Sequence, residues 1–130
     1  MGNFNSLLIL KKMVFDKIEF ERKGFKNEND LEFGLQAQVG MSQDGIYKVT
    51  LAFKGNKPEE YDIHISLTGF FMIENKEQLE EKMVNDLLSK NTVAILMPYL
   101  RSEVTLLTAQ PDTESVVLPP FNINKMLEKK

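Results

Sequence analysis

Apolar and polar side chains alternate one for one along four stretches of the N-terminal half, the signature of strands with one buried face. The clearest stretch is 31–41, where Leu31, Phe33, Leu35, Ala37, Val39 and Met41 interleave with Glu32, Gly34, Gln36 and Gln38. A second, 14–23, sets Ile18 and Phe20 against Lys17, Glu19 and Glu21. Tyr47, Val49, Leu51 and Phe53 form a third, and Tyr61, Ile63, Ile65 and Leu67 a fourth with Asp62, His64, Ser66 and Thr68 on its polar side. Ser42-Gln43-Asp44-Gly45 is expected to turn the chain, with Gly45 at positive φ, and Gly55-Asn56-Lys57-Pro58 to turn it again. The last three strands then make an antiparallel meander.

The period changes after residue 74. Asn75 is placed to cap a helix, with Gln78 completing a reciprocal capping box. Leu79, Met83 and Leu87 follow at helical spacing. A second helical run, 93–109, contains Pro98, where the lost amide hydrogen predicts a break or kink. Val93, Leu96, Met97, Leu100, Val104 and Leu107 share one face of this run, and Ile95, Tyr99, Ser102 and Leu106 form a neighbouring stripe. That apolar arc is wider than one sheet face needs, so a partner subunit is expected to cover the surplus. The fold expected is α+β: a four-stranded antiparallel sheet over 12–73 and a helical region over 75–109 packed on one face. Residues 110–130 add an extended segment and a short C-terminal helix, all within one domain.

Composition narrows the function classes. The formal net charge of −3 leaves no basic footprint for nucleic acid. No run of eighteen apolar residues exists to insert in a membrane, and the apolar run Leu7-Leu8-Ile9-Leu10 lacks the flanks of a signal peptide. The absence of cysteine removes disulfides, thiolate metal sites and cysteine nucleophiles, and fits the cytoplasm. His64 is the only histidine and stands on a polar strand face, without a spacing that makes it a base or metal ligand. The carboxylate pairs Glu59-Glu60 and Glu80-Glu81 read as solvated surface. No phosphate-binding loop, dinucleotide fingerprint or nucleophile elbow occurs. The chain is therefore expected to be no enzyme and to hold no metal or cofactor. Seven methionines and twelve Phe and Tyr side chains instead suit an adaptable apolar surface. Phe70 and Phe71 point to opposite faces of a strand, so one of them leaves the helix-covered side.

Four local patterns, in order along 12–127, resemble the SecB export chaperones. They are Ile18-Glu19-Phe20-Glu21, Thr68-Gly69-Phe70-Phe71-Met72-Ile73, the helical Ile95-Leu96-Met97-Pro98-Tyr99-Leu100-Arg101-Ser102-Glu103, and Leu118-Pro119-Pro120-Phe121-Asn122-Ile123. The resemblance implies an ATP-independent chaperone that holds unfolded polypeptides or preproteins in apolar grooves. It also implies a homo-tetramer or dimer built on a long helix. Carried onto this chain, the client-binding positions are Phe33, Leu35, Phe71, Tyr99, Phe121, Met126 and Leu127, and the interface positions Ile95, Tyr99, Ser102 and Leu106. Family members hand clients to the translocase motor SecA through acidic positions on strands one and four and through the tail. Glu21 keeps one such acid. Lys17 and His64 stand where the family has acids, and the chain ends Glu128-Lys129-Lys130, basic where the family tail is often acidic. These departures argue against SecA delivery and leave open a dedicated chaperone or adaptor for one client, such as an antitoxin.

Overall fold

A computed structural model describes residues 7–42 and 44–119. Strands β1 (Leu8–Arg22), β2 (Glu32–Met41), β3 (Tyr47–Lys57) and β4 (Tyr61–Ile73) form one antiparallel sheet in the order β1-β4-β3-β2. The expected meander is thus β2-β3-β4, and β1 crosses over to pair with β4. Gly45 takes φ 78° in the β2–β3 turn, as its lack of a Cβ permits.

β1 is longer than the alternation predicts, and its sequence shows why. Leu8 and Leu10, Met13 and Phe15, Ile18 and Phe20 lie opposite Ile73, Phe71, Gly69, Leu67, Ile65 and Ile63, all on the inner face. The intervals run two, three, two, three, two because the register shifts at Lys11 and again at Asp16. Each bulge inserts one residue and returns the next apolar pair to the same face. The Asp16 carboxylate accepts a hydrogen bond from Thr68 Oγ1, which lies 2.9 Å from Thr50 Oγ1. The second bulge therefore stitches three strands together on the outer face.

The β3–β4 turn falls at 58–60, later than expected, because β3 keeps its pairing through Lys57. After β4 the expected capping box does not form. Asn75 is left-handed, with φ 55°, and its side chain caps nothing; a single 3₁₀ turn, Lys76–Gln78, follows. Helix α1 (Glu81–Asp86) then runs through one π turn, Leu87–Asn91, into α2 (Thr92–Thr108). Val84, Leu88, Thr92, Leu96, Leu100, Val104 and Thr108 are buried at intervals of four. Such a stripe drifts around a regular helix of 3.6 residues per turn, and the wider π turn offsets part of the drift. Buried Thr92 and Thr108 satisfy their hydroxyls on the carbonyls of Leu88 and Val104.

Pro98 does not break α2. Both Pro98 and Ala94, whose carbonyl loses its donor, lie on the exposed side, where that carbonyl is open to solvent and the lost bond costs little. The inward side of α2 packs Val93, Leu96, Met97, Leu100 and Val104 onto β3 and β4. At roughly 1.5–3 kcal/mol for each fully buried side chain, this contact is the main bond between the layers.

Candidate functional site

α2 covers the middle of the sheet and leaves its margins open. β3 and β4 bury Val49, Leu51, Phe53, Ile63, Ile65 and Leu67 completely or nearly so. Most of the same face of β2 stays accessible: Phe33 is 41% exposed, Val39 45% and Met41 62%, with Leu35 half-buried and Ala37 buried between them. On the opposite margin Ile18 of β1 is likewise exposed. The Phe33 ring stacks on buried Phe53 with centroids 5.5 Å apart, so its edge is held in place while its outer surface meets water.

The two terminal strands differ in chemistry. β1 carries Lys11, Lys12, Lys17 and two bulges, the devices that discourage a further strand. From Phe33 to Met41, β2 has no charge, no proline and an unbroken register with β3. Its outward positions are Gly34, Gln36, Gln38 and Gly40. β2 is therefore the margin suited to an extended, mostly apolar peptide.

Of the residues expected to bind client, Phe33 and Leu35 lie on this open strip. Phe71 does not. It points inward opposite Leu10 and Tyr47 and is 0% exposed, because β4 is an interior strand under α2. Phe70 is the ring that faces outward, with the Lys12 ammonium 5.4 Å above it. Tyr99 lies on α2 instead of β2: together with Ser102 and Leu106 it is exposed, beside half-buried Ile95. Three of the four positions expected at an interface thus share an exposed face of the helix, while Ile95 packs partly against the core. Phe121, Met126 and Leu127 lie outside the described residues.

Beyond α2 the chain doubles back along the helix. Arg101 donates through Nε and Nη2 to the Leu118 carbonyl, at 3.1 and 2.8 Å. Thr105 donates to the Val116 carbonyl, and Thr108 Oγ1 accepts the Val116 amide at 2.8 Å. This polar ladder straps residues 116–118 onto the flank of α2 and buries Leu118. The spacing of Arg101, Thr105 and Thr108 within an apolar helix is the one sequence signal that could have revealed it.

The outer face of the sheet holds an open concavity of about 800 Å³ lined by Glu19, Glu21, Glu32, Asp62, Lys54 and His64, among others. Glu21 is thus one of four carboxylates that line this concavity. Two of its neighbours are partly neutralised: Lys17 lies 3.7 Å from Glu19 and Lys23 2.7 Å from Asp62. The hydrogen bond from Lys23, then that from Asn56, holds the Asp62 carboxyl below its usual range, and Lys23 is raised in return, first by its bond to Asp62.

Glu60 corrects the reading of Glu59-Glu60 as solvated surface. Its side chain is fully buried in the β3–β4 turn, 3.0 Å from the Lys57 ammonium. Nothing in the residue order distinguishes it from exposed Glu59. Among the described residues no group of three or more acidic or histidine side chains could hold a metal ion, and no helix is long and apolar enough to cross a membrane.

No family model matches the chain. It is similar to an uncharacterized protein of Methanocaldococcus jannaschii, 34% identical over 67 residues, which are 50% of this chain and 40% of that relative. The match thus spans less than half of the curated relative's length. Among solved structures, a Mycobacterium tuberculosis SecB-like chaperone, in complex with a ChAD peptide from the HigA1 antitoxin, superposes with a TM-score of 0.73. That likeness covers 91% of this chain and 90% of the other at 10% identity. A Streptococcus agalactiae protein of unknown function gives a TM-score of 0.50 at 11% identity, covering 87% of this chain and 97% of its own. At such identities the likeness is one of architecture. The chain carries the SecB-like fold.

Proposed function

We propose that the protein is a divergent SecB-like chaperone that captures an extended segment of an unfolded client, and that it serves a dedicated client such as an antitoxin rather than general export. The observation that carries this reading is the open strip of β2. Phe33, Leu35, Val39 and Met41 stand on a charge-free margin that α2 does not reach. Burying client side chains there removes apolar surface from water on both partners, and needs neither nucleotide nor metal. The antitoxin peptide bound to the Mycobacterium tuberculosis chaperone of the same fold supports the choice of client class.

Oligomerisation belongs to the same proposal. The exposed stripe of Tyr99, Ser102 and Leu106 on α2 is covered by a second copy, giving a dimer or a tetramer with several client strips. SecA delivery is not part of it: two of the acids beside Glu21 are already engaged by Lys17 and Lys23. The test is suppression of aggregation. Purified protein, without nucleotide, is titrated against several unrelated unfolded proteins and against an antitoxin from the same genome. Protection of the antitoxin at far lower ratios than the others is expected. Equal protection of all would replace the dedicated role by general holdase activity, and protection of none would end the chaperone reading.

A further inference from the structure

Three segments of chain meet at the end of the sheet where β1 ends and β4 begins, and Glu60 lies at their junction. Its carbonyl accepts the amides of Lys23 at 2.7 Å and Gly24 at 3.2 Å. Its carboxylate Oε1 accepts the Asn27 amide at 2.9 Å as well as the Lys57 ammonium. The Asn27 and Asn29 side chains donate to the neighbouring Pro58 carbonyl, each at 2.9 Å. Gly24 passes so close that a Cβ there would stand 2.4 Å from the Glu59 carbonyl oxygen. The β1–β2 connection is thus wrapped around the 57–60 turn and tied to it on both sides of Phe25.

The same connection reaches the strap. Arg22 bonds the Asp112 carbonyl at 3.3 Å and the Thr113 hydroxyl, and the Lys26 amide donates to the Asp112 carboxylate at 3.1 Å. From Thr113 the chain enters the ladder along α2. In the other direction, past Asn29, the connection becomes β2. There Leu31 and the Phe53 ring pack at Gly55, the residue that pairs with Phe33.

We propose that Glu60 is a positioning residue for client capture: its buried carboxylate fixes the β1–β2 connection, and thereby holds both the entry of the β2 strip and the strap beyond α2 in the shape that receives a client. This rests on the capture reading above. Glu60 touches no client itself. Its effect runs through Asn27 to β2 and through Lys26 to Asp112. A buried carboxylate also needs its lysine, so the ion pair and the loop clamp are separable by substitution.

The separation uses the pair K57M/E60Q against K57M/E60A, with hydrogen exchange on the free protein and dissociation of a bound unfolded client as readouts. The first removes the charges but keeps an acceptor for the Asn27 amide, and the second removes the acceptor too. Exchange at Asn27 reports the lost acceptor; exchange at Lys26 and Val116, whose own acceptors are untouched, reports the spread. In K57M/E60A, exchange at Lys26 and Val116 is expected to rise about tenfold or more, with core amides such as Leu51 and Leu67 within about twofold. Client release is expected to accelerate at least about fivefold, while K57M/E60Q stays near wild type in both readouts. If K57M/E60A does not fold, K57M/E60L gives the same two readouts, since leucine removes the acceptor of the Asn27 amide without emptying a buried site, and a rise in both is again expected. Unchanged exchange at Lys26 and Val116 overturns the clamp. Raised exchange with unchanged client release overturns the positioning role. A wild type that holds no client overturns the capture reading, while the exchange data test the clamp independently of it.

Discussion

Gly69 on β4 lies directly beneath Leu96 on α2: a Cβ built on Gly69 would stand 2.8 Å from Leu96 Cδ2 and equally close to the Phe71 ring. Two of the sequence patterns, the strand tract around Gly69 and the helix tract around Leu96, are therefore the two sides of one contact. The glycine sets how near the helix comes to the sheet. G69A is expected to lower stability by about 1–3 kcal/mol, because both neighbours are fully buried and have little room to shift. Denaturant titration gives the value. An unaltered midpoint would show that α2 can lift without loss.

Exposed apolar residues on α2 give the second expectation. L106E changes a side chain that is 66% exposed in the single chain, so the fold tolerates it. If a second copy covers that stripe, a buried unpaired carboxylate disrupts the contact. Light scattering is expected to report a smaller particle with an unchanged circular dichroism spectrum.

The strap depends on Arg101. R101A removes both bonds to the Leu118 carbonyl and leaves that buried residue's backbone without its donor. A loss of about 1–2 kcal/mol and faster proteolysis near Val117 are expected; R101K recovers only part, since an ammonium cannot reproduce the two-pronged geometry. Proteolysis at the wild-type rate in R101A would show that the threonines suffice.

Acid stability follows from Glu60. Burial alone would raise its carboxyl, but the Asn27 amide and the Lys57 ammonium together bring it below its ordinary value. A depressed carboxyl contributes stability that is fully present above the ordinary value near 4.5 and is lost as pH falls through the folded one. Wild type is thus expected to lose stability on acidification below that point, and K57M/E60Q to show a shallower acid limb. Identical limbs would remove Glu60 as a source of acid sensitivity.

Much of this architecture was legible because strand faces repeat every two residues and the α2 face every three to four. The four strands and the exposed stripe of α2 follow from that periodicity, and Gly45 at positive φ follows from the turn residues between β2 and β3. β1 was read short because its bulges at Lys11 and Asp16 break the alternation that identifies a strand. Its paired apolar residues keep a five-residue rhythm that alternation alone does not detect. The failed cap at Asn75 and the uninterrupted helix at Pro98 were hidden because each depends on tertiary surroundings, not on local preference. At the site, Phe33 and Leu35 were visible as inward positions, but which inward positions stay open depends on where α2 lies. Phe71 is inward and covered; Met41 is inward and bare. Glu60 was illegible for a related reason: its burial is imposed by the β1–β2 connection, which approaches from more than thirty residues away in sequence.

The most direct measurement is the affinity of an unfolded client segment, titrated fluorimetrically against wild type and V39E. Val39 is 45% exposed on the β2 strip, so the substitution leaves the core intact while placing a charge where client side chains are to be buried. A Kd raised about tenfold or more is expected for V39E, with denaturation midpoint and particle mass unchanged. Equal affinity in the two proteins would contradict client capture on β2.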